Sequence, residues 1–326
     1  MTQTLVTGGG GFIGQHLVAA LLAQGRRVRI LDLRPPTCPM TGAQFVSGSV
    51  LDPELVREAL NDVGEVYHLA ALPGMWIPRK DDFHAVNCRG TEIMLDAARK
   101  RGVSRFLHCS TESILFGTSP PASSIIEQVY TTPDEMPGAY TRSKLFAEQR
   151  ALQAAASGFP VLIASPTMPI GPHHGNLTPP TLMLQHFLNR RVQIYFDFVV
   201  NLVDVRDVAA GLLLAMKHGQ NGHRYILGGE AIPLSKLLSR LRTISGRKAV
   251  PVPVPVMIAQ TTALAMEFVA DHVTHRAPAA TVEGVRIAMR SKSLSNEKSR
   301  RELGYAPHSI ELALREIVAS VVGQKP

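Results

Sequence analysis

Short apolar runs alternate with stretches of helical period through the first half of the chain. Residues 4–7, 27–31, 44–47, 65–69, 105–109 and 160–164 are apolar and bounded by glycine or polar residues, so they read as strands. After the first strand, Phe12, Ile13, Leu17, Val18, Leu21 and Leu22 recur at the spacing of one buried helix face. Further helical stretches fall around 53–61, 81–101 and 139–157. This order predicts an α/β domain, a doubly wound parallel sheet with helices on both faces.

The texture changes after Pro166. Pro169, Pro172, Pro179 and Pro180 make a loop, and a helix is predicted near 181–189. The chain then returns to the sheet with residues 201–203, a helix over 205–217 and a strand over 224–227. Beyond Gly228 and Gly229 come short helices and an uncharged run over 250–266, broken at its start by Pro251, Pro253 and Pro255. That run predicts a short helix buried in a second lobe, with membrane-surface association as the lesser option. The division is therefore 1–168 with 199–228 for the sheet domain, and 169–198 with 229–326 for a smaller, mostly helical C-terminal substrate lobe.

Composition narrows the partners. Lys and Arg number 34 against 26 Asp and Glu, a net charge of +8, but the basic residues are dispersed and no nucleic-acid motif accompanies them. The densest group, Arg286, Arg290, Lys292, Lys298, Arg300 and Arg301, reads as a solvated helical face. Cys38, Cys88 and Cys109 have no metal spacing and are odd in number, which fits a reducing cytoplasm. No signal peptide and no membrane-spanning run is read, so no stable membrane insertion is expected. His272 with His275, and His173 with His174, lack a third ligand at fixed spacing, so no metal site is expected.

The chemistry-bearing residues begin at the first turn. Gly8, Gly11 and Gly14 lie between a strand and a helix, where the backbone can approach a pyrophosphate and the helix N-terminus offers N–H groups at Phe12 and Ile13. Asp32, about twenty residues on at the end of the second strand, suits the ribose hydroxyls of NAD. A carboxylate there repels a 2′-phosphate, whereas Arg34 would attract one; NAD is favoured and NADP is the lesser choice. Tyr140 and Lys144 stand four apart on one helix face. An ammonium beside a phenol lowers its pKa toward a working range, as needed to move a proton on a carbinol oxygen while a hydride moves on its carbon.

Together these residues resemble the extended short-chain dehydrogenase/reductase (NAD-dependent epimerase/dehydratase) family, in order and over essentially the whole chain. The resemblance implies a Rossmann fold. It implies that Asp52 contacts adenine and that Leu69, Ala70 and Ala71, after His68, run beneath the cofactor. Asn87, followed by Gly90 and Thr91, resembles the structural asparagine motif. Pro166, Thr167 and Met168 resemble the segment that holds the nicotinamide carboxamide. Val203 to Asp207 resembles a later signature. Within the family, the strings from Pro166, Asn201 and Arg301 resemble the dihydroflavonol-reductase, 3β-hydroxysteroid-dehydrogenase-like and hopanoid-associated sugar epimerase subgroup.

The family adds a Ser or Thr hydroxyl that binds the substrate oxygen. Thr111 resembles it, although counting back from Phe116 and Gly117 gives Glu112, and Ser110 or Ser113 are the other options. Ser110 also falls among the expected cofactor contacts. The resemblance implies that Tyr140 exchanges the proton, Thr111 orients the oxygen, and Lys144 depresses the tyrosine pKa and bonds the nicotinamide ribose. Glu112 is read as a surface or lysine-paired carboxylate, with a dehydratase acid as the lesser reading. Three functions compete: a dehydrogenase or ketoreductase for an apolar alcohol or ketone, an epimerase or dehydratase of a nucleotide sugar, and a non-catalytic dinucleotide sensor. Val254, Val256, Met257, Ile258, Leu264, Met266, Phe268 and Val269 favour the first. Asn176, Arg190 and Arg191 are the weak candidates for a sugar-diphosphate clasp. The resemblance also implies a homodimer through helices 81–101 and 139–157.

Overall fold

The structure, a computed structural model, describes residues 3–118, 124–172 and 178–322. His173, His174 and Asn176 lie outside the described residues. The first half runs β1 (Gln3–Thr7), α1 (Phe12–Ala23), β2 (Val28–Asp32), β3 (Ala43–Ser47), α2 (Pro53–Ala59), β4 (Val63–His68), α3 (Asp81–Phe83), a π turn (His84–Arg89), α4 (Gly90–Lys100), β5 (Arg105–Cys109), α5 (Ala139–Ala156) and β6 (Val161–Pro166). There follow β7 (Met168–Ile170), α6 (Pro179–Asn189), β8 (Val192–Tyr195), β9 (Val199–Asp204), α7 (Val205–His218), β10 (Arg224–Leu227) and β11 (Glu230–Pro233). The chain ends with α8 (Leu234–Ser245), β12 (Val250–Pro253), α9 (Val256–Val269), α10 (Val282–Arg290), α11 (Glu297–Leu303) and α12 (Glu311–Val322).

Seven strands form one parallel sheet in the order β10-β6-β5-β4-β1-β2-β3. Both faces are covered, so β1, β5, β6 and β10 are buried along almost their whole length. Leu17, Val18 and Leu21 of α1 pack with Val208 and Leu212 of α7 on one face. Val56, Met94, Leu95 and Ala151 from α2, α4 and α5 cover the other. Each such fully buried aliphatic side chain contributes roughly 1.5–3 kcal/mol. The strand order reverses between β1 and β4, and that crevice is where a doubly wound sheet binds its ligand.

The second half departs from expectation in three places. β9 does not rejoin the large sheet; it is the centre of a three-stranded sheet, β11-β9-β7, and β10 alone closes the large sheet's edge. The proline-rich start of 250–266 forms a strand, β12, paired in parallel with β8. Prolines are tolerated on so short a pair because each strand has a free edge. The second half stays mostly helical around these short strands, with a core of Leu184, Leu202, Leu237, Leu238 and Leu314. Third, α9 is not a buried helix: only Ala263 on it is buried, and Met257, Ile258, Leu264, Met266, Phe268 and Val269 are exposed.

The basic group near the C-terminus is also more than a solvated face. Arg286 donates to the Pro137 carbonyl (3.2 Å), Arg290 to that of Glu135, and Lys298 to that of Arg224 (3.0 Å). Lys298 also lies over the Tyr225 ring, 4.7 Å from its centroid.

Candidate active site

The glycine turn closes on its own strand ends. Gly8 adopts φ +69°, and a Cβ on Gly14 would stand 2.1 Å from the Gly8 carbonyl, so α1 can start this close only without a side chain there. Helix α1 opens at Phe12 with no side-chain cap and no acid in its first turn, leaving its N-terminus available to an anion. Asp32 Oδ2 accepts from the Gly10 N–H (3.0 Å) and Oδ1 from that of Arg34 (3.4 Å), which fixes the carboxylate against the turn. Arg34 itself is exposed.

Across the crevice, Leu69 N–H donates to the Thr7 carbonyl (3.1 Å) and Ala70 N–H to the Thr7 hydroxyl (3.2 Å). These bonds carry 69–71 past Gly8. The buried His68 ring lies between Thr7 (2.7 Å) and Thr91 (3.0 Å), and burial pushes its pKa down to about 3. Asp52 caps α2 through the N–H groups of Glu54 (3.0 Å) and Leu55 (3.1 Å).

Asn87 sits in the π turn. Its Oδ1 accepts from Leu72 N–H (2.7 Å), and its Nδ2 donates to the Leu72 carbonyl (3.3 Å) and the Ser143 hydroxyl (3.0 Å). Its side chain thus clasps the 69–72 run to α5 and acts on the cofactor region through those neighbours. Pro166 ends β6, Met168 starts β7, and the Thr167 N–H between them bonds Leu227 (3.2 Å). The buried hydroxyls of Ser110, Ser165 and Thr167 are left without partners.

The structure brings Thr111, Tyr140 and Lys144 together. Thr111 caps the 3₁₀ turn Glu112–Leu115, and its hydroxyl acts on the Tyr140 phenol, favouring the phenolate. It also meets the Ser113 hydroxyl at 3.2 Å. Tyr140 packs edge-on against Phe83, with ring centroids 5.8 Å apart. Lys144 Nζ donates to the Cys109 carbonyl (2.8 Å).

The electrostatics overturn two expectations. The Tyr140 phenol is pushed up to about 12, not down, because burial disfavours the phenolate and Glu283, Cys109 and Glu112 oppose a further negative charge. The Thr111 hydroxyl only partly offsets this. The Lys144 ammonium is turned to the Cys109 carbonyl and is itself pushed down by burial. Glu112 is neither a surface carboxylate nor lysine-paired. It is buried, its Oε2 has no partner, and burial pushes its carboxyl well above the usual range, toward the neutral form.

One residue of this site gave no sign in the sequence. Glu283, at the start of α10, reaches over to the N-terminus of the catalytic helix α5. It accepts from Tyr140 N–H (3.2 Å), Thr141 N–H (2.7 Å) and the Thr141 hydroxyl (2.7 Å). Gly138 makes room for it, since a Cβ there would lie 2.3 Å from a Glu283 oxygen. The middle of α5 is pinned by a buried ion pair between Glu148 and Arg224 of β10.

The uncapped α1, the closed glycine turn with Asp32 behind it and the unpartnered hydroxyls at the ends of β5 and β6 fit a dinucleotide. With a phenol, a hydroxyl and an ammonium grouped at the same sheet edge, the class is a Rossmann-fold enzyme of nicotinamide chemistry. The family profile described as "NAD dependent epimerase/dehydratase family" matches residues 4–228, and the chain belongs to that family.

Among its relatives, a Synechocystis protein provisionally named dihydroflavonol 4-reductase is 35% identical over 320 residues, 96% of this chain and 92% of the relative. Sterol demethylase protein B of Methylococcus capsulatus is 30% identical, covering 97% of each chain. The crystal structure of gox2253 superposes with a TM-score of 0.82 at 30% identity, covering 98% of this chain and 97% of the other.

Proposed function

We propose that this protein moves a hydride between NAD and a secondary alcohol or ketone of an apolar, steroid-, flavonoid- or lipid-like molecule. The observation that carries the reading is the grouping of the Tyr140 phenol with the Thr111 hydroxyl that acts on it, with Lys144 one helical turn away, at the edge where the sheet's crevice opens. When bound, NAD supplies the carbon that takes or gives the hydride.

Thr111 orients the substrate oxygen, and Tyr140 exchanges its proton. A phenol raised to about 12 holds its proton at neutral pH, the state suited to donating toward a ketone. For oxidation the phenol must lose that proton, and an ammonium at Lys144 released from the Cys109 carbonyl would favour the phenolate while bonding the nicotinamide ribose. Asp32 would take the adenosine ribose hydroxyls, which prefers NAD to NADP, and Asp52 the adenine. The residues from Leu69 to Ala71, and from Pro166 to Met168 with Ser110, would line the rest of the cofactor.

The apolar substrate class draws support from relatives named for sterol demethylation and for a farnesyl-dihydroquinoline-oxide ketoreductase. The α9 side chains lend it no support, since they are exposed rather than gathered in the core of the lobe. A homodimer through α4 and α5, and residence in a reducing cytoplasm with three free cysteines, complete the reading.

Glu112 favours a second reading. A buried acid beside the phenol, pushed toward its neutral form, could protonate the hydroxyl that leaves as water after oxidation, as a dehydratase of a nucleotide sugar requires. One panel separates the two. With NAD and sterols, secondary alcohols, or UDP-, GDP- and dTDP-sugars in turn, the first reading gives NADH, read by its absorbance, with an apolar alcohol. A changed sugar with no net NADH would replace it by the second.

A further inference from the structure

Helix α9 presents an uncharged, apolar face to its surroundings. Met257 is 72% exposed, Phe268 63% and Leu264 56%, with Ile258 and Val269 also out, and Val273 just beyond the helix is 68% exposed. At ~100° per residue these positions sweep roughly half of the circumference. The only charged residue from Val256 to Val269, Glu267, turns the other way to Lys80 (3.0 Å). Helices that face water carry charge on that side, and a contiguous apolar face of this kind marks a contact surface.

The strand pair leading into α9 extends the pattern. In register, Val192 pairs with Val250 and Ile194 with Val252, and all four are exposed. Exposed cations flank the apolar segment at both ends. Arg190, Arg191 and Lys248 stand at the start of the strand pair, and Arg276 follows α9. The nearby carboxylates are engaged elsewhere: Asp197 by Ser235, and Glu267 and Asp271 by Lys80.

We propose that α9 and the β8–β12 pair dock this enzyme on the surface of an anionic lipid bilayer. An apolar face with cations at its ends matches acyl chains bordered by anionic headgroups. A second copy on the same face would bring two cationic borders near each other. At 14 residues, α9 is about 21 Å long, short of a ~30 Å hydrocarbon core, so it lies in the plane of the interface. No helix among the described residues is long and apolar enough to cross a membrane. Docking here would set the lobe helix α10, packed on α9 through Gln260 and Met289 (3.1 Å), beside the membrane. Through Glu283, α10 also holds the catalytic helix.

Co-sedimentation with vesicles tests this without any substrate, so its outcome is separate from that of the hydride-transfer reading. The full chain should pellet with vesicles of phosphatidylcholine and phosphatidylglycerol, and less with phosphatidylcholine alone or at high salt. Met257→Glu combined with Phe268→Glu should weaken binding at least about tenfold, with NAD affinity and the circular dichroism spectrum unchanged. A wild-type chain that stays in the supernatant with both vesicles overturns the proposal, as does a variant that pellets equally. A variant that halves the mass in light scattering, from a wild type that ignores vesicles, would assign the face to a second copy instead.

Discussion

Burial moves the phenol of Tyr140 and the carboxyl of Glu112 toward their neutral forms, and a charge on Glu112 would raise Tyr140 further. The two groups therefore share a site that disfavours negative charge. The Tyr–Lys spacing, the glycine turn and Asp32 could be read from the sequence because each rests on residues close together in the chain. The direction of the tyrosine shift could not, since it depends on burial and on neighbours from two other segments, 109–112 and Glu283. Glu112 makes a stability prediction with a definite sign. Its folded pKa lies above the ordinary value near 4.5, so its contribution is full below that pH and is lost as pH rises toward the folded value. Glu112→Gln removes this loss. In chemical denaturation the variant should gain on wild type from about pH 4.5 upward, by up to ~1.4 kcal/mol per pH unit. A difference that stays flat with pH would mean the carboxyl is not held neutral in the fold.

At the scale of the element, the catalytic helix depends on a cap from another lobe. Thr141 and Glu283 are 142 residues apart, and nothing in local spacing connects them, which is why this contact was invisible in the sequence. The β8–β12 pair escaped for a similar reason: a proline-rich run reads locally as a broken coil, and only its partner strand makes it extended. In contrast α1, α5 and α7 announced themselves by period, because their buried faces repeat within one segment. The fit of Gly138 under Glu283 is tight enough to test. Gly138→Ala should cost about 1–3 kcal/mol by overpacking and should also lower kcat, because the cap moves with the Tyr140 backbone. Thermal unfolding and kcat measured on the same preparation check it, and unchanged values would show that the cap is dispensable.

For the whole molecule, the seven-stranded sheet and its helices supply the frame, and a few buried polar contacts set the catalytic helix within it. Arg224 of β10 meets Glu148 of α5 and also donates to the carbonyls of Glu127 (2.7 Å) and Val129 (2.9 Å). Arg224→Met would leave Glu148 buried and unpaired, a loss of about 3–5 kcal/mol in chemical denaturation. Pairing it with Glu148→Met should recover part of that, and no recovery would place the role of Arg224 in its carbonyl contacts alone. The family and the fold were legible because the motifs lie in order along 4–228, whereas the second lobe, assembled from segments far apart in sequence, was legible only in outline. The central claim is that this frame delivers Tyr140 as the proton-exchanging group for a hydride transfer with NAD. Tyr140→Phe, assayed on whichever alcohol or ketone the panel identifies, tests it most directly. Turnover should fall by ~10²–10⁴ while NAD binds as in wild type; undiminished turnover in that variant would contradict the account.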